Sequence, residues 1–344
     1  MGRKTVYNQI VTDEEYELVN EDNKELMEEF LDYMEVLGRS PLTIKNYRSD
    51  IKICFIWSLK KAKNKFFVDF AKKDIIRYQG WLTKTLGLSR SRVRRLKSSI
   101  SSMSNYIETI LDDEYPNFRN IVNSIETPGG ESVRKKTVFT NEDIEELLSK
   151  IISEGYIQEA CAVALAACSG ARKSELRRFK THYFDDENKK FEGSLYQTPE
   201  PIKTKGRDGG KLLTKYVLTN PFDDYLALWL NEREEKGIDN ECLFVRSVDG
   251  KWEQAIDSTL DSWARTINRF SEKHFYWHSL RHYFTTKLSR NNIPAEVIKS
   301  IVGWESVDMV SIYDDTPLSD ELGKYFGGGG INKIEEGKIS NLKG

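Results

Sequence analysis

Four short stretches of the chain carry residues whose types and spacing could do chemistry. The first, Ser169-Gly-Ala-Arg-Lys-Ser-Glu-Leu176, follows an alanine-rich apolar run. Its glycine turn puts Arg172 at a helix start, and Glu175 one turn on can hold that arginine or a neighbouring group. A guanidinium is planar, permanently charged and forked, which suits two non-bridging phosphate oxygens. A surface Arg–Glu pair would use the same residues. The second stretch, His278-Ser-Leu-Arg281-His282, sets an imidazole and a fixed cation on one helix face. His278 and His282 also have a metal-ligand spacing, but no carboxylate interleaves and no H-E-x-x-H pattern is present, so no metal is expected.

In the third stretch, Val302-Gly-Trp304 is followed nine positions later by Tyr313. An indole N–H is a donor that keeps its proton at any working pH. A phenol is a poor nucleophile until cations gather round it. Either aromatic taken alone reads as core. The fourth, Ile202-Lys203-Thr-Lys205-Gly-Arg207, is a basic β-turn. A lysine there could reach a phosphate or protonate a leaving oxygen, and physics alone does not separate Lys203 from Lys205.

The elements that must position these residues follow from periodicity. Apolar spacing predicts helices over 23–37, after the Ser40-Pro41 cap, over 74–86 and over 90–111, with a short helix over 118–125. This is a helical bundle over 23–126 with a basic side, preceded by an acidic N-terminal segment, 1–22. Lys45, Arg48 and Lys52, and likewise Arg90, Arg94 and Lys97, lie at helical spacing and could track phosphates. Solvated helix faces would look the same. Residues 127–137, with Pro128, two glycines and three successive cations, read as a linker.

Beyond the linker, helices are predicted over 157–168, 223–236, 256–270, 280–291 and 295–302, with short strands within 184–196 and 201–218. A second domain over 138–326 is therefore mainly helical with a small sheet, and 327–344 read as a loosely held tail.

Composition bounds the rest. The 344 residues are enough for two domains. The 52 Lys+Arg against 54 Asp+Glu leave a net charge of −2, so any affinity for nucleic acid must come from local stripes. No apolar stretch is long enough to span a bilayer, and residues 1–10 lack a secretory apolar core. The four scattered cysteines fit buried free thiols in a reduced, cytoplasmic protein.

Order and spacing together resemble the tyrosine recombinases, the phage-integrase family. Gly170-Ala-Arg172-Lys-Ser-Glu175-Leu176 is similar to its G-x-R-x-x-E-L stretch, and His278-Ser-Leu-Arg281-His282 to its H-x-L-R-H box. Val302-Gly-Trp304 with Tyr313 is similar to its L-G-(H/W) box and following tyrosine, with valine in place of leucine. The resemblance implies a helical core-binding domain followed by a mixed α+β catalytic domain. It implies catalytic roles for Arg172, Lys203, His278, Arg281, Trp304 and Tyr313, with Glu175, Lys205 and His282 supporting. A threonine after the family's lysine favours Lys203.

The implied activity is breakage and rejoining of DNA through a 3′-phosphotyrosyl intermediate, without cofactor or metal, in service of a phage or mobile element. The implied partners are double-stranded DNA, a homo-tetramer on paired sites and DNA-bending accessory proteins, in the cytoplasm at the nucleoid. The alternatives are a DNA-binding regulator on the same fold that does not recombine, and a strand-nicking topoisomerase.

Overall fold

A computed structural model describes residues 6–127, 137–204, 211–316, 326–327 and 330–331. The linker expected over 127–137 and the tail over 327–344 fall almost wholly outside the described residues, as does Lys205. The chain forms two compact units, one from the described residues before Lys136 and one mainly from those after it. Among the described residues no helix is long and apolar enough to cross a membrane.

The first unit is helical: α1 (Val6–Ile10), α2 (Asp13–Glu17), α3 (Glu21–Val36), α4 (Pro41–Lys61), α5 (Lys72–Gly80) and α6 (Arg90–Thr109). Starts are set by side-chain caps. Ser40 Oγ accepts the Thr43 N–H at 3.2 Å ahead of Pro41 in the first turn of α4, and Ser89 Oγ does the same for Arg92 at the head of α6. α5 continues into a wider π-turn over Trp81–Thr85, which replaces the last turn of the helix expected to Leu86. The helix expected over 118–125 is instead a series of turns. Asn120 Oδ1 accepts the backbone N–H of Val122 (3.1 Å) and of Asn123 (3.3 Å), a local alternative to helical pairing. The core holds Phe30, Phe55, Trp57, Tyr78, Leu96 and Ile100.

The acidic stretch set apart at 1–22 contributes Ile10, Val11 and Val19 to that same core. Its acids and those of α3 reach the cations of α4. Glu15 pairs with Lys60 at 2.6 Å, Glu28 pairs with Arg48, and Lys52 Nζ stands 3.8 Å from the Tyr16 ring centre. Arg48 and Lys52 are thus half-buried and engaged, while Lys45, Arg90 and Arg94 are exposed. Lys97 corrects its expected place beside Arg90 and Arg94. It lies on the apolar stripe, four residues after Val93 and three before Ile100, is buried, and donates to Ile125 O and to Thr127 Oγ1 at 3.3 Å.

The second unit begins with α7 (Asn141–Ser153), α8 (Ile157–Ser169) and α9 (Lys173–Leu176). Strands β1 (Lys189–Lys190), β2 (Leu195–Gln197), β3 (Ile202–Lys203), β4 (Leu212–Leu213) and β5 (Tyr216–Leu218) come next, then α10 (Phe222–Glu235). After these come β6 (Val245–Val248), β7 (Lys251–Gln254), α11 (Asp257–Ile267), α12 (Trp277–Arg290), α13 (Ala295–Val302), α14 (Asp308–Tyr313), β8 (Phe326–Gly327) and β9 (Gly330–Ile331). α8 is buried from Ala160 to Ser169, and its small side chains let α7, α10 and α12 pack round it.

An antiparallel sheet in the order β1-β2-β5 covers one side, with β3–β4, β6–β7 and β8–β9 as separate hairpins. The β6–β7 hairpin was not expected from the sequence pattern. Its turn residues Asp249 and Gly250 both have positive φ (49° and 78°), the backbone a tight hairpin turn requires.

Candidate active site

α8 stops because Gly170 is left-handed, with φ at 59°. A Cβ at that position would lie 2.6 Å from Phe284 Cδ1, so both backbone and space require glycine. The chain then runs extended through Arg172 into α9. Glu175 is fully buried under this turn. Its Oε2 accepts the Arg172 backbone N–H at 3.0 Å and its Oε1 accepts Arg172 Nη1 at 2.8 Å. Lys215, just before β5, is also fully buried, and its Nζ stands 2.8 Å from Glu175 Oε2. Burial alone would push the Glu175 carboxyl up, but the Lys215 charge and the Arg172 contacts outweigh it and hold the group down at about 2. Burial holds the Lys215 ammonium below the usual lysine value, with Glu175 opposing.

α12 begins at Trp277, one turn earlier than expected, and so carries His278, Arg281 and His282 together. Arg281 is fully buried. Its Nη1 donates to Gly170 O at 2.7 Å and its Nη2 to Val302 O at 3.1 Å, so one guanidinium joins the end of α8 to the end of α13. Burial, with Arg172 close by, lowers its pKa to about 10, which leaves it charged at neutral pH.

α13 ends at Gly303, again left-handed with φ at 78°. A Cβ there would meet Leu213 Cδ2 at 2.0 Å, because the β3–β4 hairpin leans on this turn. Lys211 of the same hairpin approaches Glu305 at 3.5 Å. Trp304 is buried, and the Arg281 guanidinium lies 4.9 Å from its ring centre. Trp304 Nε1 and Arg281 Nε are buried donors with no acceptor among the described residues.

α14 then delivers Tyr313. Its Oη is 2.8 Å from His278 Nε2, and its ring lies 4.7 Å from Trp304 and 4.5 Å from a nearly parallel His282. The chain just past Tyr313 is bound to α12. Thr286 Oγ1 donates to Tyr313 O at 3.4 Å and accepts the Asp315 N–H at 2.9 Å, Ser289 Oγ donates to Asp314 Oδ2, and His282 Nδ1 faces Asp315 Oδ2 at 3.4 Å.

The structure therefore gathers Arg172, Glu175, His278, Arg281, His282, Trp304 and Tyr313 into one cluster. Lys203 stands apart from it in its contacts. Its side chain is exposed on β3, and its carbonyl accepts from Arg178 Nη1. The two histidines of α12 meet edge to face and are engaged with Tyr313 and Asp315. Among the described residues no group of His, Cys, Asp or Glu converges to hold a metal ion. Lys215 is the member of the cluster that sequence reasoning missed. Nothing local marks it, and only the need of the buried Glu175 for counter-charge would have pointed to a cation.

A phenol held by an imidazole, with the Arg281 guanidinium 5.9 Å from its ring centre and Arg172 close to Arg281, is equipped to attack an anionic centre and stabilise the charge that develops. Residues 137–317 match the phage integrase family. The SPbeta prophage-derived recombinase-like protein YomM of Bacillus subtilis (strain 168) is 30% identical over 254 residues, 73% of each chain.

The fold is shared with the XerH site-specific recombinase in a post-cleavage complex on a palindromic difH substrate (TM-score 0.61, 19% identity, 82% of this chain and 79% of that one). It is shared as well with a lambda integrase tetramer bound to a Holliday junction (TM-score 0.61, 16% identity, 85% of this chain and 77% of that one). The match over residues 137–317, with a prophage-derived relative 30% identical over 73% of the chain, places the chain in the phage integrase family, the tyrosine-type site-specific recombinases.

Proposed function

We propose that Tyr313 is the nucleophile of a DNA strand-transfer reaction and that the cluster round it, together with Lys203 of the β3–β4 hairpin, is the machinery of one half-reaction. The observation that carries this is the hydrogen bond between the Tyr313 phenol and His278 Nε2 at 2.8 Å, beside the buried Arg281. Tyr313 Oη attacks the scissile phosphorus and its proton passes to His278 Nε2. The bond from phosphorus to the 5′ oxygen breaks, that oxygen takes a proton from Lys203, and a 3′-phosphotyrosyl linkage remains. A 5′-hydroxyl from a partner strand reverses the sequence and rejoins the DNA. The linkage conserves the bond energy, so rejoining draws on no nucleotide hydrolysis.

Arg172 and Arg281 meet the charge that grows on the non-bridging oxygens, and Trp304 Nε1 adds a neutral donor. The exposed Lys45, Arg90 and Arg94 supply phosphate contacts from the helical unit, and DNA affinity falls steeply with salt. The assembly is a tetramer on two paired duplex sites, a reading supported by the tetrameric state of lambda integrase on its Holliday junction. DNA-bending accessory proteins and service to a phage or mobile element belong to the same reading.

A duplex nicked next to the scissile phosphate tests it. Loss of the short fragment prevents religation, and a denaturant-stable protein–DNA adduct is expected, with the modified peptide containing Tyr313. Tight binding without adduct would instead support a regulator on this fold. Relaxation of supercoils without a preferred site would support a topoisomerase.

Lys203 has its own signature. A bridging 5′ sulfur leaves as a thiolate and needs no proton, because a thiol is a far stronger acid than an alcohol. Lys203→Ala should slow cleavage of the natural linkage by about 100-fold and of the sulfur-bridged linkage by less than about threefold. If Lys205→Ala shows that pattern and Lys203→Ala does not, the proton comes from Lys205.

A further inference from the structure

Glu175 sits awkwardly for the chemistry just described. It makes two contacts to Arg172, one from the backbone and one from the side chain. By itself this carboxylate would orient Arg172 but also cancel the positive charge that an incoming phosphate needs. The structure sets a second cation, the fully buried Lys215, against the same carboxylate.

We propose that Lys215 is a positioning residue, which through Glu175 holds Arg172 in place and restores the positive charge that Glu175 removes from the phosphate pocket. The inference rests on the reading of this cluster as a phosphoryl-transfer site.

Three features support it. First, Lys215 is fully buried, and its Nζ lies 2.8 Å from Glu175 Oε2, the oxygen that also accepts the Arg172 N–H. Second, Glu175 does not need Lys215 for neutrality, because Arg172 Nη1 already lies 2.8 Å from Oε1. A buried lysine is costly, and a buried ion pair contributes little to stability relative to apolar packing. Third, the charges balance against the reaction. Arg172, Arg281 and Lys215 with Glu175 leave a surplus of two positive charges. A phosphodiester arrives with one negative charge, and attack by a deprotonated phenol adds a second on the non-bridging oxygens. Leaving aside His278 and Lys203, which carry the transferred protons, Lys215 brings the surplus of the remaining groups up to that dianion, and without it their surplus equals only the single charge of the ground state. Interactions that strengthen as charge develops are the ones that raise the rate.

The test is single-turnover cleavage of the nicked duplex by the full chain, with a normal scissile phosphate and with a scissile methylphosphonate, in which one non-bridging oxygen is replaced by an uncharged methyl. Lys215→Met should bind the duplex within about threefold of wild type and cleave the phosphate at least about 100-fold more slowly. On the methylphosphonate it should fall less than about 10-fold behind wild type, because one negative charge fewer is to be met. Lys215→Met with Glu175→Gln leaves no unpaired buried ion and returns the surplus of two positive charges. It should cleave the phosphate within about 10-fold of wild type, and it decides the matter if Lys215→Met does not fold. Equal slowing on both substrates, or a folded double variant slowed as much as about 100-fold, would assign Lys215 to packing alone and overturn the proposal. A wild-type chain that forms no adduct would remove the reading beneath it, and the role of Lys215 would go with it.

Discussion

Tyr313→Phe is expected to bind its duplex as tightly as wild type and to form no covalent adduct. The substitution removes one oxygen and keeps the ring, so the contacts with His282 at 4.5 Å and Trp304 at 4.7 Å remain. His278, which loses its partner at 2.8 Å, is exposed and exchanges it for water, so no buried group is orphaned. Stability should therefore change by less than about 1 kcal/mol. Cleavage should fall by at least about 10⁵-fold, because the step has no nucleophile, whereas loss of a charge-stabilising donor alone costs about 10²–10³-fold. Nicked-duplex trapping beside a band-shift titration reads both quantities. An adduct that survives the substitution would place the attacking group elsewhere in the chain.

Arg281→Ala should damage the fold and the chemistry together. The side chain is fully buried and donates to Gly170 O at 2.7 Å and Val302 O at 3.1 Å. Its removal leaves two carbonyls without that donor and opens a cavity between α8, α12 and α13. A loss of roughly 3–5 kcal/mol follows, read as a fall in melting temperature of about 10 °C. In the fraction that stays folded, cleavage should drop by about 10³-fold or more, because the guanidinium most deeply placed against the reacting centre is gone. Arg281→Lys keeps the charge but cannot present a rigid fork to two carbonyls that end different helices. It should recover part of the stability and little of the rate. Cleavage by folded Arg281→Ala within about tenfold of wild type would remove this arginine from the chemistry.

The boxes proposed to carry the reaction were legible because that chemistry demands fixed residue types at short spacing. Gly170 before Arg172, His278 three before Arg281 and Gly303 before Trp304 each report a local backbone requirement. What stayed hidden depends on contacts between residues far apart in sequence. Arg48 reads as a phosphate-tracking cation until Glu28 meets it across the fold. Lys215 precedes a three-residue strand with nothing to mark it as buried, and its partner Glu175 lies 40 positions earlier. Lys97 was a different case. Its place between Val93 and Ile100 on the apolar stripe was visible in the heptad, but the run of neighbouring arginines drew it into a charge pattern. The turns over 118–125 followed from Asn120, whose side chain competes with helical pairing as asparagine commonly does.

The chain just beyond Tyr313 is moored to α12 of the same polypeptide through Thr286, Ser289 and His282. An aromatic ring anchored on its own body cannot readily be lent to a neighbour. On the proposed reading of Tyr313 as nucleophile within a tetramer, a severed 3′ end would accordingly stay with the subunit that cut it, and exchange of partners would fall to the released 5′ ends, which cross between subunits while each protein keeps its cargo.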